Sequence, residues 1–242
     1  MQNQQVIFKD LGRMGYRQAW DYQEMLLQKN LKIKSEIGSG SSDYQLQTEN
    51  HFLFVEHDPV YTLGKSGHIE NVLISEDEMN ERGIQFFRTN RGGDITFHGL
   101  QQVVGYPILD LEKFYTDIGK YMRNLEEVII LTLDDYGIKG ERSLGETGVW
   151  IETGIKGKER KIAALGVRCS RWITMHGFAL NVNTDLSYFN NIIACGIQDK
   201  QVTSIEKELA QKIPVDAVKE KLRENFEKVF EVELVGKLVA SG

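Results

Sequence analysis

The sequence predicts an α+β (mixed α/β) fold in a single domain spanning residues 1–242, and three observations carry that expectation. Strand-like runs outnumber helical stretches, and the two do not alternate as strict βαβ units, which disfavours a doubly wound parallel sheet. No internal repeat and no linker divides the 242 residues.

The elements follow in chain order. Residues 4–9 read as a short strand. From Tyr16 to about residue 37, the pairs Tyr16/Trp20 and Ala19/Tyr22/Leu26 recur at helical spacing. Gly38 to Asp43 is a loop by composition. Residues 51–56 and 60–63 are strand-like, with Asp58-Pro59 between them. Ser75 with Glu78 is a capping-box signature for a short helix ending near Gly83, and residues 84–88 follow as another strand. Ile118, Met122, Leu125, Ile129 and Leu133 mark a second long helix that Gly137 stops. Residues 148–152 and 161–183 read as successive strands with short turns. Pro214 opens a last helix whose apolar face is Val218, Leu222 and Phe226, and residues 230–234 form a closing strand.

Composition narrows the class. Hydrophobic residues make up 41% and charged residues 26%, a balance that suits a globular domain and excludes disorder, collagen and coiled coil. The net charge of −6 opposes general nucleic-acid binding, because neutralising phosphates takes a basic surface. Two cysteines, Cys169 and Cys195, make no disulfide framework. The first residues lack the basic and apolar regions of a signal peptide. No apolar run approaches the roughly 18 residues of a spanning helix. The expectation is a cytosolic chain with free thiols and no membrane contact.

Five histidines and two cysteines show none of the tight ligand pairs of a zinc site, so no metal is expected. Neither a P-loop nor a GxGxxG after a strand is present. Two segments remain. Arg91, Gly92, Gly93, Asp94, Ile95, Thr96, Phe97 and His98 join a glycine pair to charged and hydroxyl side chains. Adjacent glycines let backbone pass close to a ligand, although composition alone favours an ordinary hairpin turn. Cys195-Gly196 places a thiol in a turn where a nucleophile is reachable, although a lone cysteine is more often core filler.

The chain resembles the lipoyl(octanoyl) transferase family. The matching stretches are Glu56-His57-Asp58-Pro59-Val60-Tyr61-Thr62-Leu63-Gly64, the segment from Arg91 to Gly99, Tyr106 to Leu111, and Gly148-Val149-Trp150. Further on come Lys161 to Arg168, His176 to Val182, Asp185-Leu186, Cys195-Gly196-Ile197 and Val202-Thr203-Ser204, all in family order across about residues 50 to 210. The resemblance implies the fold of biotin and lipoate protein ligases and an acyl-enzyme on a cysteine, here Cys195. It implies Lys161 as the lysine that lowers that thiol's pKa, with no cofactor. Substrate contacts map to Arg91 through His98, to Ala164, Leu165 and Gly166, and to Gly177, Phe178 and Ala179. His176 and His98 become pocket-shaping residues, and Cys169 a structural one.

The implied reaction takes octanoyl from octanoyl-acyl carrier protein to a lysine ε-amine. The acceptors would be lipoyl domains of 2-oxoacid dehydrogenase E2 subunits and the glycine cleavage H protein. A thiol of ordinary pKa, about 8.5, is only a few per cent thiolate at neutral pH, and a nearby ammonium raises that fraction. Thioester exchange onto Cys195 is nearly thermoneutral and amide formation runs downhill, so no ATP is required. A monomer is expected. The alternatives are an ATP-dependent lipoate or biotin ligase, which has no use for a nucleophilic thiol, and a non-catalytic carrier-protein-binding module of the same fold.

The chain departs from the family pattern in two stretches. Where the family shows His-Gly-Pro-Gly-Gln, it has His98-Gly99-Leu100-Gln101-Gln102, and the family's proline before the reactive cysteine is Ala194. Replacing glycine with Gln101 forces a new backbone path if the family angle there is positive. Finally, Lys156, Lys158, Arg160, Lys161, Arg168 and Arg171 stand against Glu159 alone. That run is either a docking face for an acidic partner or a solvated loop and strand, and spacing does not decide which.

Overall fold

The computed structural model describes residues 4–39, 47–193 and 201–236. The strands are β1 (Gln4–Arg13), β2 (His51–Glu56), β3 (Val60–Leu63), β4 (Gln85–Arg88), β5 (Ile95–His98) and β6 (Gln102–Ile108). They continue as β7 (Val149–Ile151), β8 (Arg160–Ser170), β9 (Ile173–Asn181), β10 (Gln201–Val202) and β11 (Val232–Val235). The helices are α1 (Tyr16–Gly38), α2 (Glu76–Glu81), α3 (Ile118–Asp134), α4 (Ile205–Leu209) and α5 (Val215–Phe230).

The large sheet runs β10-β8-β9-β6-β2-β1-β11, and β7 adds to β8 along the side opposite β9. It is mixed: β1 lies parallel to β2 and β11, whereas β2, β6, β9 and β8 pair antiparallel in turn. Its interior strand β2 reads His-Phe-Leu-Phe-Val with no polar alternation because both faces are covered. Phe52 and Phe54 join the core under α3 and α5. Leu53 and Val55 join the core under α1.

A second sheet, β4-β3-β5, packs with Ile74, Met79, Tyr188 and Phe189 into a third cluster. Because β4 and β5 flank β3 without pairing to each other, the Arg91 segment between them is a crossover loop, not a hairpin turn. The capping box forms as spaced: Ser75 Oγ accepts from Glu78 N–H while the Glu78 carboxylate accepts from Ser75 N–H. Asp117 caps α3, and Pro214 precedes α5.

β1 is longer than the 4–9 expected, continuing to Arg13 across a register shift in which Gly12 takes φ +62°. Gln101 itself adopts φ +62°. Its N–H donates to Glu56 Oε2 at 2.7 Å, and Asn183 Nδ2 donates to its Oε1 at 2.9 Å. A left-handed non-glycine residue costs roughly 1–2 kcal/mol, which these bonds offset. Among the described residues no helix is long and apolar enough to cross a membrane.

Candidate active site

A cavity of about 270 Å³ opens where β5, β6, β8 and β9 converge beneath the 91–94 loop and Tyr16 of α1. It exists because the facing side chains are small. Across β8 and β9, Ala164 stands opposite Ala179 and Gly166 opposite Gly177, and all four line the space. Neither glycine is replaceable without collision. A Cβ on Gly177 would lie 2.2 Å from Gly105 O, and one on Gly166 would lie 2.7 Å from Gly92 O.

Of the described residues singled out as site residues in the sequence, all but two gather here. Lys161, Arg91, Gly93, Asp94, Ile95, Thr96 and His98 line the cavity, as do Leu165, His176 and Phe178. Gly92 instead fastens the loop, donating its N–H to Val167 O at 2.9 Å. Phe97 turns away and stacks on Tyr188 at 4.6 Å between ring centroids. Cys195 and Ala194 lie outside the described residues. The chain approaches that stretch where Ile193 N–H donates to Asn71 O, and it resumes at Gln201, paired with Arg160. Cys169 is exposed on β8, not a core residue, and partial burial still pushes its thiol up.

Tyr16, Gln102, Tyr106, Glu146, Thr147, Asn181 and Val202 also line the cavity. Gln102, Tyr106, Asn181 and Val202 sit in or beside the quoted motifs and were findable there. Tyr16 reads as helix face, and Glu146 and Thr147 carry no signal.

One end of the cavity is a buried, directional network. Arg91, 6% exposed, donates from Nη2 to Thr62 O and, at 3.0 Å, to Thr62 Oγ1. Gln102 Nε2 donates to Phe97 O and Asn181 Oδ1, so its Oε1 is the acceptor that meets His98 Nδ1 at 3.0 Å. His98 therefore carries its proton on Nδ1, and Nε2 accepts from Thr62 Oγ1 at 3.3 Å. The chain ends where Asn181 Nδ2 donates to Thr203 O, whose own N–H donates to Lys161 O. His57 follows the same logic, donating from Nδ1 to Met14 O and accepting at Nε2 from Tyr106 Oη.

Burial makes these imidazoles neutral. It pushes His57 down to about 4. His176 falls to about 3, through burial first and then the Arg91 and Arg168 charges. His98 is held well below the usual imidazole range by burial, His57 and Arg91. Tyr16 is pushed up to about 12 by burial, against the pull of Arg91. His176 also takes φ +59° inside β9, with Gln23 Oε1 accepting its N–H and its Nε2 donating to Asn90 Oδ1. Non-glycine residues held there cost roughly 1–3 kcal/mol and cluster at functional sites.

At the other end, the Lys161 ammonium lies 4.4 Å from the Trp150 ring centroid, and the side chain is 8% exposed. The six cations of the 156–171 stretch, Lys161 included, do not share a face. Arg160 pairs with Glu152 and Glu208, and Arg168 pairs with Glu24. Arg171 sits in the β8–β9 turn, past the far end of β8 and about 33 Å or more from Arg160. Only Lys156 and Lys158 remain in the β7–β8 turn, so the run is not a continuous basic surface.

Comparison with known proteins places this geometry. The model of the lipoyl protein ligase A/B catalytic domain matches residues 15–227. An octanoyltransferase of Christiangramia forsetii is 55% identical, covering 96% of this chain and 98% of its own. One of Flavobacterium psychrophilum is also 55% identical, covering 96% of this chain and all of its own length. Among solved structures, the bipartite lipoate protein ligase of Thermoplasma acidophilum superposes with a TM-score of 0.70 at 18% identity, covering 98% of this chain and 88% of that one. That last likeness speaks for the fold alone.

Proposed function

Because the chain belongs to the lipoyl protein ligase A/B catalytic-domain family, with octanoyltransferases at 55% identity, we propose that it transfers octanoyl groups through a thioester on Cys195. The observation that carries the reading is the small-residue floor lying beside Lys161. An extended acyl chain has an apolar bed there, and the lysine that lines the cavity stands at its end.

In this reading the Lys161 ammonium stabilises the Cys195 thiolate, each pKa unit being worth about 1.4 kcal/mol. The thiolate attacks the thioester carbonyl of octanoyl-acyl carrier protein, and the carrier thiol leaves with a proton. The ε-amine of a lipoyl-domain lysine then attacks the Cys195 thioester, forming the amide and returning the thiol. Backbone N–H groups aimed at the carbonyl oxygen would hold the developing charge. Arg91, Gly93 to Thr96 and His98, with Ala164 to Gly166 and His176 to Ala179, bind and shape the acyl site. The acceptors are lipoyl domains of E2 subunits and of the glycine cleavage H protein. The same reading places the chain in the cytosol as a monomer.

An ATP-dependent ligase is the competing reading, and its support is structural likeness at 18% identity against 55% for the transferases. Incubating the protein with octanoyl carrier protein, with a lipoyl domain added second and ATP absent throughout, separates the two. Intact-mass analysis is expected to find the octanoyl adduct first on the enzyme and then on the domain. Transfer that demands ATP and free octanoate would overturn the proposal.

A further inference from the structure

Glu126 is fully buried on α3 and stands outside the cavity. Its Oε1 accepts the Gly148 N–H at 3.1 Å. Its Oε2 lies 2.9 Å from Arg123 and 3.2 Å from Arg142, at ion-pair distance without hydrogen-bond alignment. A carboxylate removed from water is costly unless opposite charges and hydrogen bonds offset it, and the hydrogen bond here comes from the loop that packs on Lys161.

Gly148 takes φ +125°, and a Cβ on it would lie 2.7 Å from Ala163 O and 3.3 Å from Lys161 Cε. The Gly148 backbone thus packs against the lysine stem. Two residues on, Trp150 pairs with Lys161 across β7 and β8 and lays its ring under the ammonium. Trp150 also exchanges both backbone hydrogen bonds with Glu141, the neighbour of Arg142. Glu126 therefore meets the covering segment at Arg142 and at Gly148, with Trp150 beyond.

We propose that Glu126 is a positioning residue for Lys161. Its carboxylate pins Gly148, Gly148 confines the lysine stem, and the ammonium is held over Trp150 facing the cavity. This rests on the reading of Lys161 given above as far as catalysis is concerned, but the positioning itself is measurable without it.

The test uses the full chain labelled with ¹⁵N-lysine, with Lys161→Ala identifying the Lys161 ammonium signal. In Glu126→Leu, which removes the acceptor, that signal is expected to move away from its wild-type position as the ammonium leaves the Trp150 ring. Glu126→Gln, which keeps an acceptor for Gly148, should restore it. Octanoyl transfer in Glu126→Leu should lose between about tenfold and a hundredfold in kcat with KM little changed, as misplacement of a reacting group does, and Glu126→Gln should recover most of the loss. Gly148→Ala, a change outside α3, should displace the same signal. A Lys161 signal unmoved in Glu126→Leu would overturn the proposal, whatever happens to kcat. A displaced signal together with a fully active Lys161→Ala would uphold the positioning and remove Lys161 from the reaction.

Discussion

The Nδ1 of His98 stands 3.0 Å from Gln102 Oε1, and the proton between them belongs to His98. That direction is imposed from both ends, since the Gln102 amide spends its N–H groups on Phe97 O and Asn181 Oδ1. A proton on Nε2 as well would face the Thr62 hydroxyl, which already accepts from Arg91, and would add charge beside a buried guanidinium. The network therefore holds only with neutral imidazole.

Stability should consequently fall in mild acid. His57, His98 and His176 are all depressed in the folded state, so the unfolded chain takes up protons first. The loss begins below about 6.5, the ordinary imidazole value, and for His57 and His176 continues toward about 4 and about 3. Each group steepens the slope by up to about 1.4 kcal/mol per pH unit. Urea unfolding between pH 7 and 4 checks this, and His176→Gln is expected to flatten the curve by one group's share.

Cys195→Ser should abolish octanoyl transfer, whereas Cys169→Ser, a change on the exposed face of β8, should leave it within about twofold. Peptide mapping of the trapped acyl-enzyme is the check. An octanoyl group on Cys169 would reverse the assignment.

Filling the cavity floor should shorten the accepted chain. Ala179→Val projects methyl groups at the Ala164/Ala179 pair, and a steric mismatch of that size typically discriminates by about 10- to 200-fold. The expected result is a loss of kcat/KM for octanoyl thioesters of that order, with butanoyl thioesters little affected.

Gln101→Gly should be close to neutral in stability. It relieves a left-handed residue but surrenders the Asn183 bond and loosens the unfolded chain by about 0.5–1 kcal/mol. Gln101→Ile, β-branched at the same angle, should destabilise by more than about 1 kcal/mol. Denaturant midpoints of the two variants decide the matter.

Local chemistry was legible in the sequence. The Ser75/Glu78 pair, the unbroken apolar run of β2 and the Leu125/Ile129/Leu133 face of α3 each formed where their residue types required. Features without a local signal were not. The continuation of β1 past Asp10 depends on a register shift with β2. The β8–β9 turn places Arg171 and Trp172 at φ +48° and +66°, without the Asn-Gly that usually announces such a hairpin. The second sheet arises from pairings that no periodicity records. The site divides likewise. The motif glycines and Lys161 were visible, whereas Tyr16, Glu146 and the grip of Glu126 on Gly148 come from chain segments far apart in sequence.

The facing Ala164/Ala179 and Gly166/Gly177 pairs carry a further consequence for fidelity. In the proposed function, a bed without hydrogen-bonding side chains would measure an alkyl tail as a graded ruler, with no step at any one length. Each methylene in contact is worth about 0.8 kcal/mol, or roughly fourfold, so a six-carbon tail suffers a handicap of only about fifteenfold. Stringency beyond that must come from which acylated donors the cell supplies in quantity, and the enzyme would misload lipoyl domains whenever shorter donors accumulate.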